Sequence, residues 1–98
     1  MRTALIKAIK DSMRMSTASA IIEDDIRGCI EACFKDLQLA GVEKIDETDA
    51  LIIRAAQLFT KADFNYNNLA DKYRQSYDAL KMSLALSGEY NEKESEGK

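Results

Sequence analysis

Apolar residues recur at intervals of three and four along most of this 98-residue chain, which is the spacing of one face of an α-helix. Proline is absent and there are only four glycines, so the residues that build the tight turns of a sheet protein are scarce. The pattern predicts an all-α fold, a small bundle of about four helices with a disordered C-terminal tail. Residues 1–88 are predicted to form the helical domain, and residues 89–98 a flexible charged tail.

Helix boundaries can be predicted from the apolar spacing and from capping residues. The four predicted helices span residues 3–14, 20–40, 49–63 and 69–86. Gly41 is expected to end the second helix in a left-handed conformation, and Gly88 to end the fourth. Asp46 or Thr48 is expected to cap the third helix. The asparagines of segment 65–68 indicate a turn, because asparagine tolerates positive φ better than most residues.

The two cysteines, Cys29 and Cys33, lie one turn apart on the second helix. Their side chains would project nearly in parallel, so a disulfide between them would be strained. We therefore expect buried free thiols and a reducing compartment. The neighbouring Gly28 is interpreted as a place where a second helix packs closely.

The side chains of common active sites are missing. There is no histidine, which removes the commonest general base and metal ligand. Two cysteines without a second pair do not make a zinc site. The acidic residues Glu23, Asp24, Asp25 and Glu31 lack the spacing of the magnesium-binding helices of nucleotide pyrophosphohydrolases. The sequence predicts a protein that is not an enzyme and has no catalytic residue, no cofactor and no metal.

The charge and hydropathy of the chain argue against electrostatic binding of nucleic acid and against insertion into a membrane. The net charge of −3 is unsuited to holding phosphates by a dense basic surface. No apolar run approaches the roughly 20 residues that a membrane span needs. Lys7 and Lys10 interrupt the apolar stretch at the N-terminus, so no signal peptide is expected. The basic first helix is expected to pack on the core and not to lie on a membrane.

The end of the fourth helix is apolar on more than one side. A surface helix needs only one apolar stripe, so this end is either deeply buried in its own fold or docked against another chain. The residues predicted to contact another chain are Tyr77, Leu80, Met82, Leu84 and Leu86.

Four stretches of the chain together resemble the small head-tail connector, or DNA-packaging, proteins of long-tailed bacteriophages. They are residues 8–17, which end in Met-Arg-Met-Ser-Thr; 26–42, which end in Asp-Leu-Gln-Leu-Ala-Gly-Val; 62–68; and 73–90. The resemblance covers about residues 5–90 in the expected order, although none of these motifs is highly specific alone. Asn65 stands where relatives are expected to have glycine, and asparagine can adopt the same left-handed conformation.

The resemblance implies a structural protein of the virion, made in the host bacterial cytoplasm and placed at the head-tail interface. Copies would form a homo-oligomeric ring of about twelve under the portal protein, through heterologous contacts. The ring would extend the DNA channel, let double-stranded DNA pass non-specifically, and dock a tail-side or stopper protein. An acidic channel wall would repel phosphates, and the channel-facing acidic loop is predicted to comprise Glu43, Asp46, Glu47 and Asp49.

Two other functions are compatible with a small helical chain. One is a regulator that binds DNA or a protein partner as a monomer or dimer, although neither the third nor the fourth helix is basic enough for a typical recognition helix. The other is a divergent metal-dependent enzyme. Ring assembly would separate the connector from both.

Overall fold

The computed structural model describes residues 3–16 and 19–91. The four helices are α1 (Thr3–Ser12), α2 (Ala20–Ala40), α3 (Ala50–Asp63) and α4 (Ala70–Leu86). Short 3-10 turns follow α3 at Tyr66–Asn68 and α4 at Gly88–Tyr90. The described residues contain no strand, and the predicted all-α bundle of four helices is confirmed.

Helix α3 lies at the centre of the bundle and packs against each of the other three helices. One half of the core joins α1, the first half of α2 and α3, with Ile9, Ile26 and Ile30 completely buried. The other half joins the second half of α2, α3 and α4 around Leu37 and Leu84. The core therefore consists of two apolar clusters, and the half-buried Phe34 of α2 packs against both.

Several local features follow the sequence closely. Gly41 ends α2 with φ 107°, and the amide of Val42 donates to the carbonyl of Leu37, which completes a left-handed cap. Arg14 takes the same position after α1 with φ 57°, so α1 ends at Ser12 and not at Arg14 as predicted. The segment 65–68 contains three residues at positive φ, all of them asparagines.

Other local predictions are wrong. Asp49, and neither Asp46 nor Thr48, caps α3: its carboxylate accepts from the amide of Leu51 at 2.8 Å. Asp46 instead accepts from the amide and hydroxyl of Thr48, which closes a small turn before the helix. Ser87, in an extended conformation, ends α4 in place of Gly88, because the chain turns at once into the second 3-10 turn.

The boundary of the predicted tail also needs correction. Tyr90 is buried, and its carbonyl accepts from the amides of Glu43 and Lys44. Residues 89–91 therefore belong to the folded domain, since they cover the end of the core beside the α2–α3 loop. The rest of the predicted tail, residues 92–98, lies outside the described residues.

Candidate assembly surfaces

The two-sided apolar end of α4 divides between the core and the surface. Tyr77 and Leu84 are buried inside the subunit, and Leu80 is half-buried against the same cluster. Met82 and Leu86 point away from the core and are 61% and 80% exposed. The predicted interface residues therefore do not form one surface, and only Met82 and Leu86 offer substantial free apolar area to a partner.

A shallow apolar groove lies beside these two residues. It is lined by the apolar residues Ala40, Met82, Ala85 and Leu86 and by the charged residues Asp78 and Lys81. Protein–protein interfaces combine apolar and polar residues in this way. The groove can therefore receive an apolar side chain from another protein.

A partly buried polar network fixes the orientation of α4 against α2. The hydroxyl of Tyr77 donates to the carboxylate of Asp36 at 2.7 Å, and the ammonium of Lys81 donates to the same oxygen at 2.9 Å. Burial and the neighbouring Asp36 raise the pKa of Tyr77 well above its usual range, so the phenol keeps its proton and remains a donor. The thiol of Cys33 lies 3.9 Å from the same hydroxyl. This network holds Met82 and Leu86 in a defined position relative to α2.

The predicted acidic loop connects α2 to α3, and its four carboxylates have different surroundings. Glu43 and Asp46 are exposed, whereas Glu47 and Asp49 are half-buried. Asp46 and Asp49 hold the local backbone, and hydrogen bonds from Thr48 lower the pKa of Asp46 below its usual value. Asp49 also accepts the hydroxyl of Tyr90. Two of the four acidic residues thus have structural roles as well as charge, which their clustering in the sequence does not reveal.

Basic and acidic residues at the opposite end of the bundle pair with one another. Lys10 of α1 donates to Glu23 of α2 at 2.8 Å, and the resulting hydrogen bond lowers the pKa of Glu23. Lys7 pairs with Asp11 on the exposed side of α1. The Lys10–Glu23 contact ties α1 to the start of α2.

Within the described part of a single subunit, Gly28 does not serve the close helix packing that the sequence suggested. Its position on α2 is exposed, and a β-carbon added there would have no neighbour within 4 Å. The groove beside it has a volume of about 600 Å³ and is walled by Phe59 and Phe64. The prediction of buried thiols is confirmed, since Cys29 and Cys33 are both free and buried.

In residues 3–16 and 19–91, no three His, Cys, Asp or Glu side chains converge as metal ligands would. Over the same residues, no helix combines the length and apolar character required to cross a membrane.

A comparison with protein-family models gives one finding on identity. The model described as phage connector protein matches residues 5–91, which is most of the chain. Comparisons with curated proteins and with solved structures gave no match.

Proposed function

The chain belongs to the phage connector protein family, and we propose that its copies form a ring under the portal at the head-tail junction of the virion. The ring extends the DNA channel and presents a docking surface to a tail-side or stopper protein. The family match over residues 5–91 supports this role most strongly. The role is structural and requires neither a reaction nor a cofactor.

The exposed end of α4 is the proposed contact between neighbouring subunits. A ring needs heterologous contacts, in which one face of a subunit meets a different face of the next. Met82 and Leu86 supply apolar area that the subunit itself does not cover, next to the groove against Ala40. Since Tyr77, Leu80 and Leu84 pack inward, they support this surface from below instead of forming it.

The α2–α3 loop is the proposed channel-facing segment. Exposed carboxylates repel the phosphates of passing DNA, so the duplex can slide without sticking. Glu43 is the best residue for testing this, because it is exposed. Among the described residues, its polar contact with the fold is through the backbone amide, which donates to the carbonyl of Tyr90. The variant Glu43→Lys should fold normally, yet particles that carry it should retain or release DNA abnormally. Normal DNA retention and release would remove the loop from the channel wall.

The α4 contact can be tested with charged substitutions at exposed positions. Met82→Lys and Leu86→Lys should leave the helical content unchanged and abolish ring formation on portal rings, because they place a charge in an apolar contact. Leu69→Lys is the matched control, since Leu69 is also exposed and lies just before the other end of α4. Rings that form equally well with all three variants would show that subunits meet elsewhere.

A further inference from the structure

The outer face of α2 carries a row of exposed residues with a regular spacing. Successive members lie four, three, four, three and four positions apart, which is the spacing of a coiled-coil contact line. The row, here called the α2 outer row, consists of Ile21, Asp25, Gly28, Ala32, Lys35 and Leu39. Ile21 and Leu39 are 75% and 80% exposed. They are separated by about five helical turns, or about 27 Å, and therefore point in the same direction.

Nothing in the described part of the subunit covers this row. Helix α2 contributes Ile26, Ile30 and Leu37 to the core, and these residues lie on the opposite side of the helix. Glycine destabilises a helix interior relative to alanine, and no neighbour within 4 Å of Gly28 requires so small a residue. The fold of a single subunit therefore does not explain the row.

About position 30, the row is symmetric in residue size and complementary in charge. Counting outward from position 30, the small residues Gly28 and Ala32 lie at equal distances on either side. Further out lie the opposite charges Asp25 and Lys35, again at equal distances, and neither has an ion pair among the described residues. The large aliphatic residues Ile21 and Leu39 lie at the two ends.

We propose that the α2 outer row is the contact surface of an antiparallel, two-fold symmetric dimer of this chain. When two copies of α2 pair in antiparallel orientation, each residue of the row meets a partner residue of similar size or of opposite charge. Asp25 meets Lys35 of the partner subunit, and Ile21 meets Leu39 of the partner subunit. Each pairing occurs twice because a two-fold contact is self-complementary.

The centre of the row suits a close crossing of the two helices. Gly28 meets Ala32 of the partner subunit there, and small residues let two helix backbones approach closely. The adjacent groove between α2 and α3 supplies apolar walls from Phe59 and Phe64. The apolar ends, the charged pairs and the small centre thus all favour the same antiparallel register.

This dimer differs from the proposed ring and is weaker. One helix-length contact is small beside the about 1,200–2,000 Å² of a standard interface. The exposed Glu31 lies beside the row near the two-fold axis, where it faces its own copy and reduces the affinity. A closed two-fold contact cannot propagate into a ring, so the dimer is a state of free subunits. It uses a different helix from the α4 contact, so either proposal can fail alone.

Sedimentation of the free chain over a wide range of concentrations at low salt tests the dimer. Lys35→Glu should weaken dimerisation by roughly tenfold, because two attractive pairs become repulsive. Asp25→Lys combined with Lys35→Glu should restore it, since the opposite charges then meet again. Lys72→Glu, the same charge change on the exposed surface of α4, should have little effect. A monomer at every concentration, or a dimer that the single and double changes leave unaffected, would overturn the proposal.

Cross-linking tests the antiparallel arrangement. A mixture of Ile21→Cys chains and Leu39→Cys chains should form disulfide-linked pairs under mild oxidation, whereas either variant alone should form few. The native cysteines are buried and should not compete. Efficient linking of Leu39→Cys chains to one another would indicate a parallel pair and contradict the proposal.

Discussion

The phenolic oxygen of Tyr90 lies 3.0 Å and 2.9 Å from the two carboxylate oxygens of Asp49, which also caps α3. One side chain near the C-terminal end of the described chain thus binds the residue that starts the central helix. Together with the amides of Glu43 and Lys44, which donate to the Tyr90 carbonyl, this contact fixes the α2–α3 loop. The loop proposed to face DNA is therefore held by the segment that follows α4.

Removing the Tyr90 hydroxyl tests how much this contact contributes. Tyr90→Phe should lower the free energy of unfolding by about 1–3 kcal/mol, because a hydrogen bond to a charged group is lost while the ring stays buried. Denaturant unfolding measures the change. Tyr73→Phe is the control, since the Tyr73 hydroxyl has no hydrogen bond among the described residues. Equal stability of Tyr90→Phe and the natural protein would show that the contact does not stabilise the fold.

Asp36 should make the stability of the protein depend on pH. Burial alone would raise its pKa, but hydrogen bonds from Lys81 and Tyr77 outweigh this effect and lower the pKa below its usual value. A carboxyl whose pKa is lowered by folding stabilises the protein above its unfolded pKa, about 4, and loses that contribution as the pH falls through the lower folded value. The free energy of unfolding should therefore decrease below about pH 4.

The variant Asp36→Asn should be less stable at neutral pH and should lose part of this acid dependence. Other carboxyls with a lowered pKa, such as Asp46 and Glu23, account for the remainder. Asp71→Asn is the control, because its carboxylate has no partner among the described residues. The free energy of unfolding is measured at neutral and at acidic pH. If Asp36→Asn kept the full acid dependence of stability, Asp36 would not contribute to it.

Two glycines should respond to alanine in opposite directions. Gly28→Ala should raise the free energy of unfolding of the monomer by about 0.5–1 kcal/mol, since the position is helical and has free space around it. Gly41→Ala should lower it by about 1 kcal/mol or more, because φ is 107° at that position. Thermal and denaturant unfolding provide both values. A destabilising Gly28→Ala would mean that the helix is tightly covered there.

The two thiols should be unreactive while the protein is folded. Burial raises the pKa of Cys29 and of Cys33 to about 12, and Asp63 beside Cys29 adds to the effect. Thiolate is the reactive form, so labelling by a thiol reagent at neutral pH should be slow until denaturant is added. Rapid labelling of the folded protein would show that α2 opens locally.

Local sequence signals predicted most of the helical framework. The bounds of α2 match residue for residue, and Gly41 and the asparagine turn behave as their intrinsic backbone preferences indicate. The buried face of α3 does not follow a single apolar stripe. Leu51 is exposed, while Ala56 and Thr60 are buried, because a helix packed on three sides buries a wider arc than one apolar stripe. Thr60 can be buried because its hydroxyl donates a hydrogen bond to the carbonyl of Ala56.

The candidate surfaces were harder to predict than the helices, because they depend on contacts between residues distant in sequence. Tyr90 lies in a polar stretch rich in Glu, Lys and Asn, and no local pattern indicates that it reaches Asp49. In the same way, the spacing of apolar residues does not show which side of α4 packs against α2. Leu84 and Leu86 were both predicted to contact another chain, although only Leu86 is exposed. Burial in a small bundle is decided by the arrangement of helices, which the sequence encodes only indirectly.

The mass of the complex that the chain forms with portal rings of the same virus tests the proposed function most directly. Light scattering should be recorded on the chain alone and after addition of purified portal rings. The proposed connector role predicts a closed ring on the portal, of about twelve copies. A chain that remains a monomer or dimer and does not bind the portal would contradict the ring and direct attention to regulatory binding of DNA or protein.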